Sequence, residues 1–187
     1  SFTDTVKRGI DEGLWFVQDE ASRITSAAVG ACSGETVADV CACPGGKSFS
    51  MAVDMRNEGK LYSFDIHKNK LPLVEKGAER LGITIIQTEK RDAREPNTEL
   101  IGKIDRVLCD APCSGLGVIA KKPEVRFKDL SAISSLPEIQ YNVLTGASKY
   151  VKNGGILVYS TCTLNKAENE EVVERFLAAN PNFTLYD

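Results

Sequence analysis

The sequence predicts an α/β domain built on a mostly parallel, doubly wound sheet with helices on both faces. Three observations carry this. Short apolar runs alternate with helical patterns along the chain. Several runs are rich in Val, Ile, Leu and Tyr, as buried parallel strands are. The residues that apolar packing leaves unexplained fall where those runs end. Repeated strand–helix–strand units imply parallel pairing through right-handed crossovers. Ligands of such sheets sit beyond the carboxyl ends of the strands, where strand order reverses.

In chain order, strands are expected at 35–41 (ETVADVC), 60–66 (KLYSFDI), 84–90 (TIIQTEK), 104–110 (IDRVLCD) and 154–162 (GGILVYSTC). Between the second and third, Leu71, Val74, Ala78 and Leu81 repeat at helical spacing. Pro72 stands in the first turn, where a missing N–H costs little, and Gly82 is a stop signal. After the last strand, Asn165 with Glu168 three residues on reads as a capping box. Val173, Phe176, Leu177 and Asn180 follow at helical spacing. The chain carries no repeat and no Pro/Gly/Ser linker, so residues 1–187 read as one domain.

Composition narrows the function classes. Apolar residues at 42% and charged residues at 26% exclude wholesale disorder. The net charge of −3 gives no basic surplus, so composition alone does not point to nucleic acid, though a local basic face is compatible with it. No apolar run approaches the ~20 residues that span a bilayer, and the polar start has no signal-peptide core. A cytoplasmic protein without membrane contact is expected. The six cysteines therefore read as reduced thiols. Zinc is not expected: Cys41-Ala-Cys43 has C-x-C spacing and His67 is far from a ligand pair.

Four features remain for chemistry. The first, Asp39-Val-Cys-Ala-Cys-Pro-Gly-Gly-Lys-Ser48, joins the first strand to its helix. Its paired glycines let backbone approach a ligand, and the helix start offers free N–H groups. It is not a P-loop, because Cys41 stands where the first glycine belongs and Pro44 interrupts the loop. Next, Asp65 ends the second strand, placed to take ribose hydroxyls, and Asp92 follows the third, placed to accept from an adenine amino group. Either could instead be a cap or turn aspartate. In the third feature, Asp110-Ala-Pro-Cys-Ser-Gly115, a buried strand delivers a carboxylate, a rigid turn and a thiol. Finally, Ser160-Thr-Cys-Thr163 ends the last strand. If those two strands are neighbours, Cys113 and Cys162 stand side by side. Cys32 and Cys109 read as small buried hydrophobes. Lys121, Lys122, Arg126 and Lys128 could clamp phosphates or form a solvated charged loop.

At these residues the sequence resembles the RNA cytosine-C5 methyltransferases of the Nol/Nop/Sun group, in particular the bacterial Sun-type enzymes of small-subunit ribosomal RNA. GLWFVQDEAS (13–22) resembles the family's lead-in, DVCACPGGKS its cofactor loop, DAPCSG its fourth motif, GVIAKKPEVRFK (117–128) the segment that follows and STCT its sixth motif. The resemblance implies a Rossmann-like fold dependent on S-adenosylmethionine. It implies that Cys41, Ala42, Cys43, Pro44, Gly45, Gly46 and Lys47 hold the methionine end, Asp65 the ribose and Asp92 the adenine side. Asp110 would lie between cofactor and base. Cys162 would be the nucleophile, Cys113 the residue that helps release the product, and Lys47 a residue that positions the base. Ribosomal RNA is the implied partner, and a monomer is expected. Cys43 departs from the family's usual Ala. The family's N-terminal RNA-binding region and final strand are missing from this stretch, so a catalytic fragment is expected.

The chemistry suits these residue types. Thiolate addition at cytosine C6 pushes electron density to C5, and a free thiol with a pKa of roughly 8.5 needs help to ionise. An acid beside the ring nitrogen, here Asp110, can stabilise the charge that develops. Two other readings stay open. A DNA cytosine-C5 methyltransferase would use Cys113 as nucleophile and leave Cys162 without a role. A catalytically silent cofactor- and RNA-binding module would have no need of both cysteines.

Overall fold

The computed structural model describes residues 3–127 and 133–186. Its elements in chain order are α1 Asp4–Asp11, α2 Glu20–Val29, β1 Thr36–Asp39, α3 Gly46–Asp54, β2 Lys60–Asp65, α4 Leu71–Arg80, β3 Ile86–Lys90, β4 Ile104–Asp110, α5 Leu136–Ser148, β5 Val151–Ser160 and α6 Glu170–Ala179. The five strands form one sheet in the order β3-β2-β1-β4-β5, and every pairing is parallel. Strand order therefore reverses between β1 and β4, the expected place for a ligand crevice.

Side-chain alternation along the strands separates two packed layers. On β4, Val107 and Cys109 face a cluster with Val143, Leu144, Ala147 and Tyr150 of the α5 side and Val172 and Phe176 of α6. Leu108, between them, faces Val29 of α2 and Met51 and Ala52 of α3. All three β4 residues are fully buried, which explains why the strand reads as an unbroken apolar run. Each such aliphatic side chain contributes about 1.5–3 kcal/mol on burial.

The local signals act largely as expected. Pro72 sits in the first turn of α4, and Gly82 just past its end takes a left-handed φ of +67°. Asp19 caps α2 by accepting from the Ser22 N–H at 3.0 Å. One signal acts differently. Asn165 does not open the last helix with a capping box. Its side chain accepts from the Ala167 N–H and starts only a 3-10 turn, Lys166–Glu168, and α6 begins two residues later. The reason is Glu168: it is fully buried, and its carboxylate accepts from the Ser114 N–H and the Asn165 side-chain amide, while the Asn165 backbone N–H that a capping box would use donates to the Thr163 hydroxyl. A second correction concerns Cys32, which is exposed, unlike the fully buried Cys109. Lys128 lies outside the described residues. Among the described residues, no helix is long and apolar enough to cross a membrane.

Candidate active site

The β1–α3 turn builds the first wall. Gly45 precedes α3 with φ +113°, a conformation that suits glycine, and a Cβ there would stand 2.6 Å from the Phe49 ring. The helix then presents Lys47. The lead-in segment supports this turn: Gln18 donates to the Gly46 carbonyl at 3.1 Å and accepts from the Ser50 hydroxyl at 2.6 Å. Lys47 Nζ lies 2.6 Å from Asp110 Oδ2 at the end of β4. The Ser160 hydroxyl at the end of β5 donates to Asp110 Oδ1 at 2.7 Å. Burial pulls the Lys47 ammonium pKa down, but the Asp110 carboxylate more than offsets this, and Lys47 stays charged.

The fourth and sixth motifs meet because β4 and β5 are neighbours, with Asp110 paired to Ser160. Cys113 Sγ and Cys162 Sγ stand 3.0 Å apart, well beyond the ~2.05 Å of a disulfide. The Cys162 N–H also points at Cys113 Sγ, at 3.2 Å. Cys162 is exposed and Cys113 half-buried. The hydrogen bond with Cys162, and then burial, push the Cys113 thiol well above the ordinary range. Ionisation of Cys113 is thus disfavoured while Cys162 stands beside it. Gly117 packs so closely behind Cys162 that a Cβ would stand 2.9 Å from the Cys162 carbonyl.

Asp65 is nearly buried and accepts from the backbone N–H groups of Cys43 at 3.1 Å and His67 at 2.8 Å. Each oxygen keeps a further lone pair for a ligand hydroxyl. Asp92 is a turn residue as well as a wall of the cleft. Its carboxylate accepts from the Arg94 N–H at 3.0 Å and from the Arg94 guanidinium, which holds it below the usual carboxylate range. Burial pushes the Cys43 thiol up to about 12 and raises Cys41 and Cys109 as well, which disfavours ionisation of all three at neutral pH.

Cys41, Cys43, Asp65, Asp92, Asp110, Cys113 and Cys162 line one cleft of about 520 Å³ at the carboxyl rim of the sheet. Lys122 reaches its edge, while Lys121 and Arg126 are exposed nearby in sequence. The cleft is large enough for a nucleoside-sized ligand, with the acid pair at one end and the thiols at the other. Among the described residues, no group of three or more His, Cys, Asp or Glu side chains could hold a metal ion.

Sequence reasoning assigned no role to Asp39. Its carboxyl is almost wholly buried, accepts from the Ser48 hydroxyl at 2.8 Å, and is raised to about 7, chiefly by burial and also by the Asp110 charge. The Ser63 hydroxyl completes the chain by donating to Ser48 at 2.9 Å. Its sequence signal was present, since Asp39 heads the first motif and Ser48 closes it. Ser160 likewise lay inside the sixth motif. Gln140, on α5, carried no signal at all.

The 16S rRNA methyltransferase RsmB/F family matches residues 28–187. This chain belongs to that family. The probable ribosomal RNA small subunit methyltransferase B of Bacillus subtilis (strain 168) is 45% identical over 169 residues, 89% of this chain and 38% of that protein. The tRNA (cytosine(72)-C(5))-methyltransferase of Pyrococcus horikoshii is 34% identical over 164 residues, 87% of this chain and 41% of that protein. The crystal structure of NSun6 from Pyrococcus horikoshii with SFG, an S-adenosylmethionine analogue, has a TM-score of 0.82 at 31% identity. It covers 92% of this chain and 44% of that one. The fold is thus that of the S-adenosylmethionine-dependent, Rossmann-like methyltransferases, and the chain spans about two fifths of the length of these relatives.

Proposed function

We propose that this chain is the catalytic part of an enzyme that methylates C5 of a cytosine in small-subunit ribosomal RNA, using S-adenosylmethionine. The observation that carries the reading is the pair of thiols 3.0 Å apart on one cleft with Asp110. The family membership of the chain supports the RNA substrate class.

The residues present fit the cofactor. The Cys41–Lys47 turn, of which Cys41 and Cys43 line the cleft and Ala42, Pro44, Gly45, Gly46 and Lys47 do not, would hold its methionine end; Asp65 would hold its ribose and Asp92 its adenine side. When bound, it supplies an electrophilic methyl group on a sulfonium. Cys162, the more exposed thiol, forms its bond to cytosine C6 as a thiolate, and electron density moves to C5. Negative charge develops on the ring edge, where the Lys47–Asp110 pair offers a proton donor and an acceptor. C5 takes the methyl group. The ring then carries both the methyl and its original proton at C5. Once Cys162 is a thioether, it no longer opposes ionisation of Cys113. Cys113 can give its proton to solvent and take the C5 proton. The C5–C6 double bond re-forms, the C6–S bond breaks, and the thiolate returns to Cys162. The base must leave its stack to reach the thiols, and Lys121, Lys122 and Arg126 would hold neighbouring phosphates.

The test separates the two cysteines in the full-length protein. Cys162→Ala should abolish turnover and form no covalent RNA adduct. Cys113→Ala should trap a methylated RNA–protein adduct that survives denaturing electrophoresis. An adduct with Cys162→Ala but none with Cys113→Ala would exchange the roles, as the DNA-type assignment requires. Binding of S-adenosylmethionine with no methyl transfer to any RNA would favour the silent module.

A further inference from the structure

The geometry points to Glu168 as the positioning residue that sets the separation of the two thiols. The inference rests on the two-cysteine reading above and assigns a role to a residue outside the cleft. Glu168 is fully buried, and so is Gln140. Glu168 Oε2 accepts from the N–H of Ser114, the residue after Cys113, at 2.8 Å. The same oxygen accepts from the Gln140 amide at 3.0 Å, and that amide also donates to the carbonyl of Pro112, the residue before Cys113, at 2.9 Å. Both neighbours of Cys113 are thus tied to one carboxylate. On the other side, Glu168 Oε1 accepts from the Asn165 amide at 3.0 Å, and the Asn165 N–H donates to the Thr163 hydroxyl at 3.2 Å. Thr163 follows Cys162, and its hydroxyl lies 2.8 Å from that of Ser114. Tyr159 of β5 fixes the backbone by donating to the Glu168 carbonyl at 2.7 Å.

A buried carboxylate is costly unless its lone pairs are filled. Burial raises the Glu168 pKa, but hydrogen bonds from Ser114, Gln140 and Asn165 outweigh it and hold the group below the usual carboxylate range. The charge therefore persists at neutral pH, and every bond it accepts comes from a loop that carries one of the two thiols or from the helix behind them. A thiol–thiol hydrogen bond between two separate loops needs both backbones fixed, and this network fixes them. The consequence is chemical. With Cys113 held at 3.0 Å, its S–H can donate to Cys162 and favour the Cys162 thiolate. The charged or titratable groups around the pair are Asp110, Lys47 and Lys122 on the cleft side and Tyr159 and Glu168 behind it. Among these titratable groups of the described residues, Glu168 is bonded to both thiol loops, which the Ser114–Thr163 hydroxyl contact and the Gly117 N–H to the Cys162 carbonyl also join directly.

The experiment uses the full-length protein and two variants, Glu168→Gln and Gln140→Met. Iodoacetamide alkylation of Cys162 is followed against pH by peptide-resolved mass spectrometry, with Cys113→Ala as the reference. In both variants the midpoint should move up toward that of Cys113→Ala, by roughly half a unit or more. Affinity for S-adenosylmethionine should stay within about twofold, and release of the RNA adduct should slow by about tenfold or more. If Glu168→Gln does not fold, Gln140→Met decides. Unchanged midpoints with normal adduct release would overturn the proposal. So would loss of folding in both variants, which would leave Glu168 a purely structural role. The alkylation readout needs no RNA. A shifted midpoint in a protein that never forms an adduct would keep the clamp and reject the proposed reaction. Normal adduct chemistry with an unshifted midpoint would do the reverse.

Discussion

Asp39 shows how a single buried carboxyl links sequence to stability. Its folded pKa is raised from 3.8 to about 7. Between those values the folded chain keeps a proton that the unfolded chain has lost. The contribution of Asp39 is therefore full below about pH 4 and falls as pH rises to about 7. Urea unfolding from pH 4.5 to 7.5 should show this decline in the wild type and a flatter profile in Asp39→Asn. The difference should reach on the order of 4 kcal/mol at most, at about 1.4 kcal/mol per pKa unit. Asp65 makes a prediction of another kind. Its oxygens already hold two backbone N–H groups, and Asp65→Ala should weaken S-adenosylmethionine binding by roughly 1–3 kcal/mol in calorimetry. An unchanged affinity would remove Asp65 from the site. These residues were legible to different degrees. Asp65, Asp110, Cys113 and Cys162 stood out because polar groups at the ends of apolar strands have no packing reason to be there. Asp39 and Ser160 were inside the motifs but looked like ordinary strand ends.

At the scale of elements, the site depends on how tightly α5 lies against the rim. Gly146 of α5 approaches the loop after β3 so closely that a Cβ would stand 1.9 Å from the Ala93 carbonyl. That loop carries Asp92 and Arg94, which line the cleft. Gly146→Ala must push the helix off the loop, and overpacking of this kind costs about 1–3 kcal/mol. Denaturant unfolding should report that loss, and affinity for S-adenosylmethionine should fall with it. Thermal stability and affinity both equal to wild type would show that the loop yields freely. The sequence located the strands within a few residues, because each is a short apolar run with polar ends. It misread the start of α6, because Asn165 and Glu168 have capping-box spacing in any context. Only the burial of Glu168 between two loops decides that its carboxylate serves Ser114.

Across the whole molecule, the charge balance of −3 sets the expectation for RNA. With 23 basic against 26 acidic residues the chain has no net attraction for a polyanion, so residues 1–187 alone should bind ribosomal RNA weakly, through a local set of Lys and Arg contacts that salt screens. Filter binding from 50 to 200 mM salt should show affinity falling steeply. Tight, salt-insensitive binding would show that this stretch holds a complete RNA surface. The full-length relatives are more than twice as long, which leaves ample chain outside this domain to supply further contacts.

By itself the sequence determined the sheet class and the rim at which the carboxylates and the Cys113 and Cys162 thiols gather, because apolar periodicity and the residues that break it are local properties. The tertiary structure decided what those residues do to one another. Strand order placed β4 beside β5 and so brought Cys113 within 3.0 Å of Cys162 across a separation of 49 residues. It joined Lys47 to Asp110, and it buried Glu168 and Gln140 behind the thiols. Such couplings depend on distance and desolvation between segments far apart in the chain, and those exist only once the sheet has formed.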